Sequence, residues 1–204
     1  MKERPILFSA PMVRAILDGS KTQTRRVSKW QPTLVGHTWM GTQASTGWSI
    51  GYINKTHAVW KENDLESCIN YMIEKCPYGQ PGDRLWVRET FNADWCDEVL
   101  YKASTRGSAK DAGYDAEPRW KPSIHMPRWA SRILLEVVDV RVQQVNEISF
   151  ADALAEGVHP ELEPVAGRAP GAFAVLWDTI NGPRGFGWTA NPWVWAITFK
   201  RVKL

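Results

Sequence analysis

Cysteine is scarce in this chain of 204 residues: Cys68, Cys76 and Cys96 are all there are. An odd count without a Cys-x-x-Cys pair excludes a thiol redox motif. It also argues against a disulfide framework and for a reducing, cytoplasmic compartment. Histidine is equally sparse, and His37, His57, His125 and His159 are too scattered for a structural zinc site, so neither metal nor cofactor is expected. The opening Met1-Lys2-Glu3-Arg4-Pro5 lacks the apolar run of a secretory leader, and no stretch approaches the length of a membrane span, so no membrane partner is expected. There is no P-loop, no Gly-x-Ser-x-Gly and no dinucleotide fingerprint. Charge of either sign is not in great excess. The net value of +3 permits a nucleic-acid or nucleotide partner without requiring one.

What the chain has in abundance is tryptophan, with 12 residues. Each indole N–H needs a partner when buried. So many rings suit either an aromatic-rich β core or a surface on which flat rings stack. Trp193, Trp195, Trp177 and Trp86 are expected in the core, and one or two of the others beside a site.

The segment Ile16-Leu17-Asp18-Gly19-Ser20-Lys21-Thr22-Gln23-Thr24-Arg25-Arg26 organises the rest. Ser9-Ala10-Pro11 reads as a helix start, and Gly19 fits the left-handed position that ends such a helix. Lys21 to Arg26 then leave the helix as a loop or strand in which cations and hydroxyls are crowded together. Ile6-Leu7-Phe8 is a short strand leading into the helix. Residues 28–60 carry Trp30, Trp39, Trp48 and Trp60 among Gly, Thr, Ser and Gln, show no helical period, and suggest short β-hairpins. Arg84–Glu89 alternates as a strand, and Glu98–Ala103 is a second. Residues 104–128 look like a long loop. Ile133–Val145 is the longest strand, with a phase flip at Val137-Val138 that a bulge or sharp bend explains. Ser149 and Gly157 bracket a short helix, and Phe173, Leu176, Trp177 and Ile180 mark one face of another. Trp193–Phe199 is the last strand. The whole predicts an α+β fold: a small mixed β-barrel flanked by short helices, in one domain over 1–204, with a Trp-rich insertion at about 28–75 and another at about 104–128.

Lys21 and Thr24 head the residues that carry chemistry. A lysine is a useful base only when desolvation or a neighbouring cation lowers its pKa, and Arg25 and Arg26 supply such cations. A threonine hydroxyl becomes a nucleophile when a base takes its proton. The alternative is an exposed lysine beside a threonine that bonds its own backbone. Glu156 closes a helix just before Gly157, where the macrodipole disfavours a carboxylate, so a cation must offset it or the carboxyl must stay neutral; the alternative is a solvated surface glutamate. The arginines suit bidentate phosphate binding. Trp86 and Arg88 share a parity on their strand and would face a cleft together, with Glu89 next to them.

Gly19-x-Lys21-x-x-Thr24-x-Arg26, then Pro81-Gly82-Asp83-Arg84-Leu85-Trp86-Val87, then Trp195-Ala196-Ile197-Thr198-Phe199 resemble the ASCH domain family. Cys76-Pro77-Tyr78-Gly79, the run from Lys121 to Arg132, and Asn191-Pro192-Trp193-Val194-Trp195 extend the likeness to phage and prophage ASCH-like proteins. The resemblance implies a PUA-like β-barrel and an association with RNA or modified nucleosides. One branch of the family is the N4-acetylcytidine amidohydrolases, of about half this length. By that similarity Lys21 would be the base, Thr24 the nucleophile or activator of water, Glu156 a proton carrier or orienter, and Arg26 a substrate-binding residue. Apart from the resemblance, Arg25, Trp86, Arg88 and Glu89 are expected to join Arg26 in binding substrate.

Three functions are therefore expected to compete. The first is amide hydrolysis on an N4-acylated cytidine-like substrate, which requires Lys21, Thr24 and Glu156 to converge in one cleft beside a Trp or Tyr. The second is non-catalytic binding of RNA or single-stranded DNA. The third is a ribonuclease using Lys21, Arg25, Arg26 and His125.

Overall fold

The computed structural model describes residues 1–39, 42–52, 65–94, 98–105, 118–158 and 169–202. Strand β1 (Glu3–Leu7) leads into helix α1 (Ala10–Asp18). Ser9 takes the extended N-cap conformation, and Gly19 stops the helix at φ 86°, a left-handed conformation that favours glycine. Strand β2 (Gln23–Val27) follows, then a hairpin of β3 (Trp30–Trp39) and β4 (Thr42–Tyr52), with Trp30 opposite Tyr52. Helix α2 (Leu65–Glu74) precedes β5 (Arg84–Arg88), the two-residue strands β6 (Phe91–Asn92) and β7 (Leu100–Tyr101), and the long β8 (Leu134–Gln144). Helices α3 (Phe150–Ala155) and α4 (Ala169–Asn181) and strand β9 (Trp193–Val202) complete the described chain.

Five strands form one mixed sheet in the order β1-β5-β8-β9-β2, in which β1 and β5 are parallel and the other neighbours antiparallel. The expected barrel is, among the described residues, an open sheet with β1 and β2 as its edges. A single side-chain bond from Arg26 Nη2 to the Leu7 carbonyl (2.6 Å) links those edges where a closing ladder would run. The phase flip in β8 is a register shift between Val137 and Asp139 against β9. It lets Val137 and Val140 both reach the core.

Strand β9 has helices against both faces, which is why its residues from Trp193 to Ile197 are all buried. Trp193, Trp195, Ile197 and Phe199 join the main core with Val13 and Ile16 of α1 and Cys68 and Met72 of α2. The Trp195 indole N–H donates to the Met72 carbonyl (2.9 Å), which satisfies its one donor inside that core. Val194 faces the other way, into a second cluster with Ala153, Phe173 and Trp177 from α3 and α4.

Several sequence expectations shift. Helix α2 lies within the stretch read as an insertion, yet its Cys68 and Met72, four residues apart, are fully buried in the main core. The strand expected over Glu98–Ala103 is limited to Leu100–Tyr101, paired with β6. Trp177, Trp193 and Trp195 are buried as expected. Trp86 is only half-buried, because β5 buries Leu85 and Val87 and turns its other face outward. Trp60 and Cys96 lie outside the described residues.

Candidate functional site

The C-terminus of α3 lies against the start of β2. Thr22 N–H donates to the Ala155 carbonyl (2.8 Å), and Lys21 and Glu156 form an isolated antiparallel bridge. Glu156 is the C-cap residue that follows α3, and Gly157 comes next at φ 80°. A Cβ on Gly157 would stand 3.1 Å from the Cβ atoms of both Ala15 and Lys21, so glycine here serves both the turn and the close approach.

Lys21 is wholly enclosed, with none of its side chain exposed. Its ammonium donates three hydrogen bonds: to Glu156 Oε2 (2.7 Å), to the Glu156 carbonyl (2.8 Å) and to the Gln23 carbonyl (2.8 Å). The cation that a carboxylate at a helix C-terminus needs is thus Lys21, which bonds both the side chain and the terminal carbonyl. Burial pushes the Lys21 pKa below its ordinary value, against the opposing charge and hydrogen bond of Glu156; Arg26 and Arg25 push the same way as burial.

Arg25 extends the network. Its Nη1 donates to Gln23 Oε1 (2.6 Å) and Glu156 Oε1 (3.2 Å), and its Nη2 to Asp152 Oδ2 (2.9 Å). Asp152 Oδ1 also accepts from Gln23 Nε2 and from Arg141 Nη2, both at 3.1 Å. Burial raises the Asp152 pKa, but the hydrogen bonds from Arg141 and Gln23 and the charge of Arg25 outweigh it and hold the carboxyl below its ordinary value. Arg25 lies over the Phe173 ring of α4, 5.7 Å from its centroid, and Lys21 lies 5.9 Å from the Phe8 centroid.

This network forms one wall of a cavity of about 130 Å³. Thr24, Arg25, Arg26 and Glu156 line it from the β2–α3 side, Phe173, Trp177 and Ile180 from α4, and Tyr78 and Arg184 from the loops after α2 and α4. Leu176 and Ile180, expected on the buried face of α4, are partly exposed because they border this opening. Lys21 lies behind the wall and does not line the cavity. Burial pushes the Tyr78 phenol up, with Arg26 opposing, and burial pushes Arg26 down, with Tyr78 and Glu156 opposing.

Lys21, Thr24, Arg25, Arg26 and Glu156 are therefore brought together around one cavity. Trp86, Arg88 and Glu89 do not line it. Arg88 stacks 5.4 Å from the Trp86 centroid on the outer face of β5, as their shared parity suggested, and also bonds the Ile124 carbonyl. Glu89 is buried and held in a fork by Arg132, with Nε to Oε1 at 2.9 Å and Nη2 to Oε2 at 3.0 Å. His125 is exposed and borders a separate open groove with Trp120, Lys121 and Trp129. Gln23, Asp152, Tyr78, Phe173, Arg184 and Arg141 are not among the site residues expected from sequence. Asp152 had a legible signal, since it lies four residues before Glu156 on one helical face.

No protein-family model matches this chain, and no curated protein matches it. Among solved structures it is similar to an ASCH domain from Lactobacillus crispatus JV V101. The identity is 12% and the TM-score 0.44, over 98% of this chain and 79% of that one. At that identity and score the likeness decides nothing about the site. Among the described residues no helix is long and apolar enough to cross a membrane, and no three His, Cys, Asp or Glu side chains are grouped to hold a metal ion.

Proposed function

We propose that the chain is an ASCH-type amidohydrolase that cleaves an N-acyl group from a cytosine-like base. The observation that carries the reading is the junction of Lys21 with Glu156 at 2.7 Å directly behind a cavity whose wall includes both Thr24 and Glu156. The flat faces of Tyr78, Phe173 and Trp177 suit a planar heterocycle, and 130 Å³ suits one ring rather than a length of polymer.

The geometry favours a division of labour that differs from the one implied by the resemblance. All three N–H groups of Lys21 are engaged and the side chain is sealed off, so Lys21 acts as a buried counter-charge that positions Glu156. Glu156 reaches the cavity and is the proton carrier. It takes the Thr24 hydroxyl proton as Oγ attacks the acyl carbon. The resulting oxyanion faces the guanidinium groups of Arg25 and Arg26. When the C–N bond breaks, Glu156 returns the proton to the departing amine. A water then attacks the Thr24 ester, gives its proton to Glu156, and releases the carboxylic acid as the proton returns to Thr24. One water is consumed and no redox partner is needed.

Purified protein is incubated with N4-acetylcytidine, beside Thr24→Ala, Lys21→Met and Glu156→Gln variants checked for folding by circular dichroism. The expected result is release of cytidine and acetate by the wild type, with losses on the order of 100- to 10,000-fold in the Thr24 and Glu156 variants. No product at stoichiometric enzyme overturns the hydrolase.

A second reading has its own observation. The Lys21–Glu156–Arg25–Asp152 network links the start of β2 to α3, and Arg25 also stacks on Phe173 of α4, as a purely architectural clasp would. In that case the cavity binds a base without reacting. Retained ligand affinity in a wild type that hydrolyses nothing would select it.

A further inference from the structure

Three guanidinium groups, those of Arg25, Arg26 and Arg184, face the same cavity against a single carboxylate, Glu156. That carboxylate is already engaged, one oxygen by Lys21 at 2.7 Å and the other by Arg25 at 3.2 Å. Arg26 gives one N–H to the Leu7 carbonyl and has no carboxylate within ion-pair distance among the described residues. Arg184 sits in the turn after α4, is exposed, and makes neither ion pair nor hydrogen bond among the described residues. Arg184, Arg26 and Tyr78 all line this one cavity. Behind them, the Nε of Arg25 is buried with no hydrogen-bond partner among the described residues.

A cavity wall with more fixed cations than anions is complementary to an anionic ligand. Guanidinium groups match the oxygens of a phosphate in fork geometry. The aromatic walls suit a ring and the arginines suit an anion beside it. We propose that Arg26 and Arg184 form a phosphate subsite at the rim of the cavity, so that the ligand is a nucleotide rather than an uncharged nucleoside. The phosphate belongs either to a 5′-monophosphate or to a strand that threads past the rim. This inference rests on the cavity being the base-binding site of the proposed function.

The test is titration of the full chain, at low and high salt, with cytidine, cytidine 5′-monophosphate and a short oligocytidylate without terminal phosphates. At low salt a phosphate-bearing ligand is expected to bind roughly 10- to 100-fold tighter than cytidine, the gain from one charge-assisted pair. That ratio falls toward one at high salt and in Arg184→Gln, and returns in part in Arg184→Lys. Lys200→Gln, a remote loss of one positive charge, leaves the ratio intact. A gain with the monophosphate alone assigns the subsite to mononucleotides, and a gain with the oligomer assigns it to a strand. Equal affinity for all three ligands, or a gain that survives Arg184→Gln and Arg26→Gln together, overturns the subsite. The ligands carry no acyl group, so a chain that binds phosphate but hydrolyses nothing loses only the hydrolase. Hydrolysis of N4-acetylcytidine without phosphate preference loses only the subsite.

Discussion

Replacing Glu156 with glutamine keeps the shape of the side chain and an acceptor oxygen for Lys21, but removes the charge. The Lys21 side chain is 0% exposed, so its ammonium cannot turn to water for the lost partner. Breaking a buried pair from one side costs about 3–5 kcal/mol, and the retained acceptor points to the lower end. For a chain of this length, 3 kcal/mol lowers Tm by about 6–12 °C. The loss depends on pH in a set direction. Lys21 has a folded pKa below its unfolded value of 10.5. Between those two values the unfolded chain holds more protons, so stability rises with pH across that window. In Glu156→Gln the group that held the Lys21 pKa up is gone, the folded pKa falls further, and the window extends downward. The deficit against wild type should therefore be largest near neutral pH and shrink as alkali neutralises Lys21. Thermal denaturation followed by circular dichroism from about pH 6 to pH 10 reads this directly. Lys21→Met combined with Glu156→Leu should recover much of the loss, because no buried charge is left unpaired. A Tm within about 2 °C of wild type, with a deficit flat in pH, would refute the enclosed pair.

Gly157→Ala should cost at least about 1–2 kcal/mol from its left-handed backbone alone, and its Cβ would push on Lys21, so Tm and any activity should fall together. Arg141→Ala should raise the Asp152 pKa toward its ordinary value, which an NMR titration of the carboxyl would read. Because the folded Asp152 pKa is depressed, its contribution is present above the unfolded pKa and lost as pH falls through the folded one. The variant should therefore lose stability at neutral pH, by no more than about 1 kcal/mol given the exposure of Arg141, and little in strong acid. Burial pushes the Cys76 thiol up to about 11, so iodoacetamide at pH 8 should leave it unmodified in the native state and alkylate it on unfolding.

Much of this arrangement was legible where one residue type imposes a local geometry. Gly19 and Gly157 each end a helix in the left-handed region, Ser149 accepts from the Asp152 N–H as an N-cap, and the parity flip in β8 is a real register shift. What escaped the sequence depends on partners distant along the chain. Helix α2 is the exception: Leu65, Cys68, Ile69 and Met72 hold the i, i+3, i+4, i+7 spacing of a core-facing stripe, within a stretch expected to be an insertion. The two residues of β6 are too few to alternate. Glu156 stood out because its charge opposes the helix dipole, and the cation that resolves the conflict lies 135 residues away. Tyr78 and Arg184 had no local signal, since each reaches the cavity from a turn. Arg25 was read as a binding cation, and only folding reveals that it is shared between two carboxylates.

The pairing of β2 with β9 also sets an order of events. Gln23 and Thr198 meet across 175 residues, and β2 has no other strand beside it in the sheet. At bacterial or eukaryotic rates of synthesis the two strands leave the ribosome roughly 10–30 s apart. During that interval β2, which carries Thr24, Arg25 and Arg26, has no strand to pair with. The segment that lines the cavity is thus made well before the strand it pairs with, so the cavity should be complete only once β9 has docked beside β2.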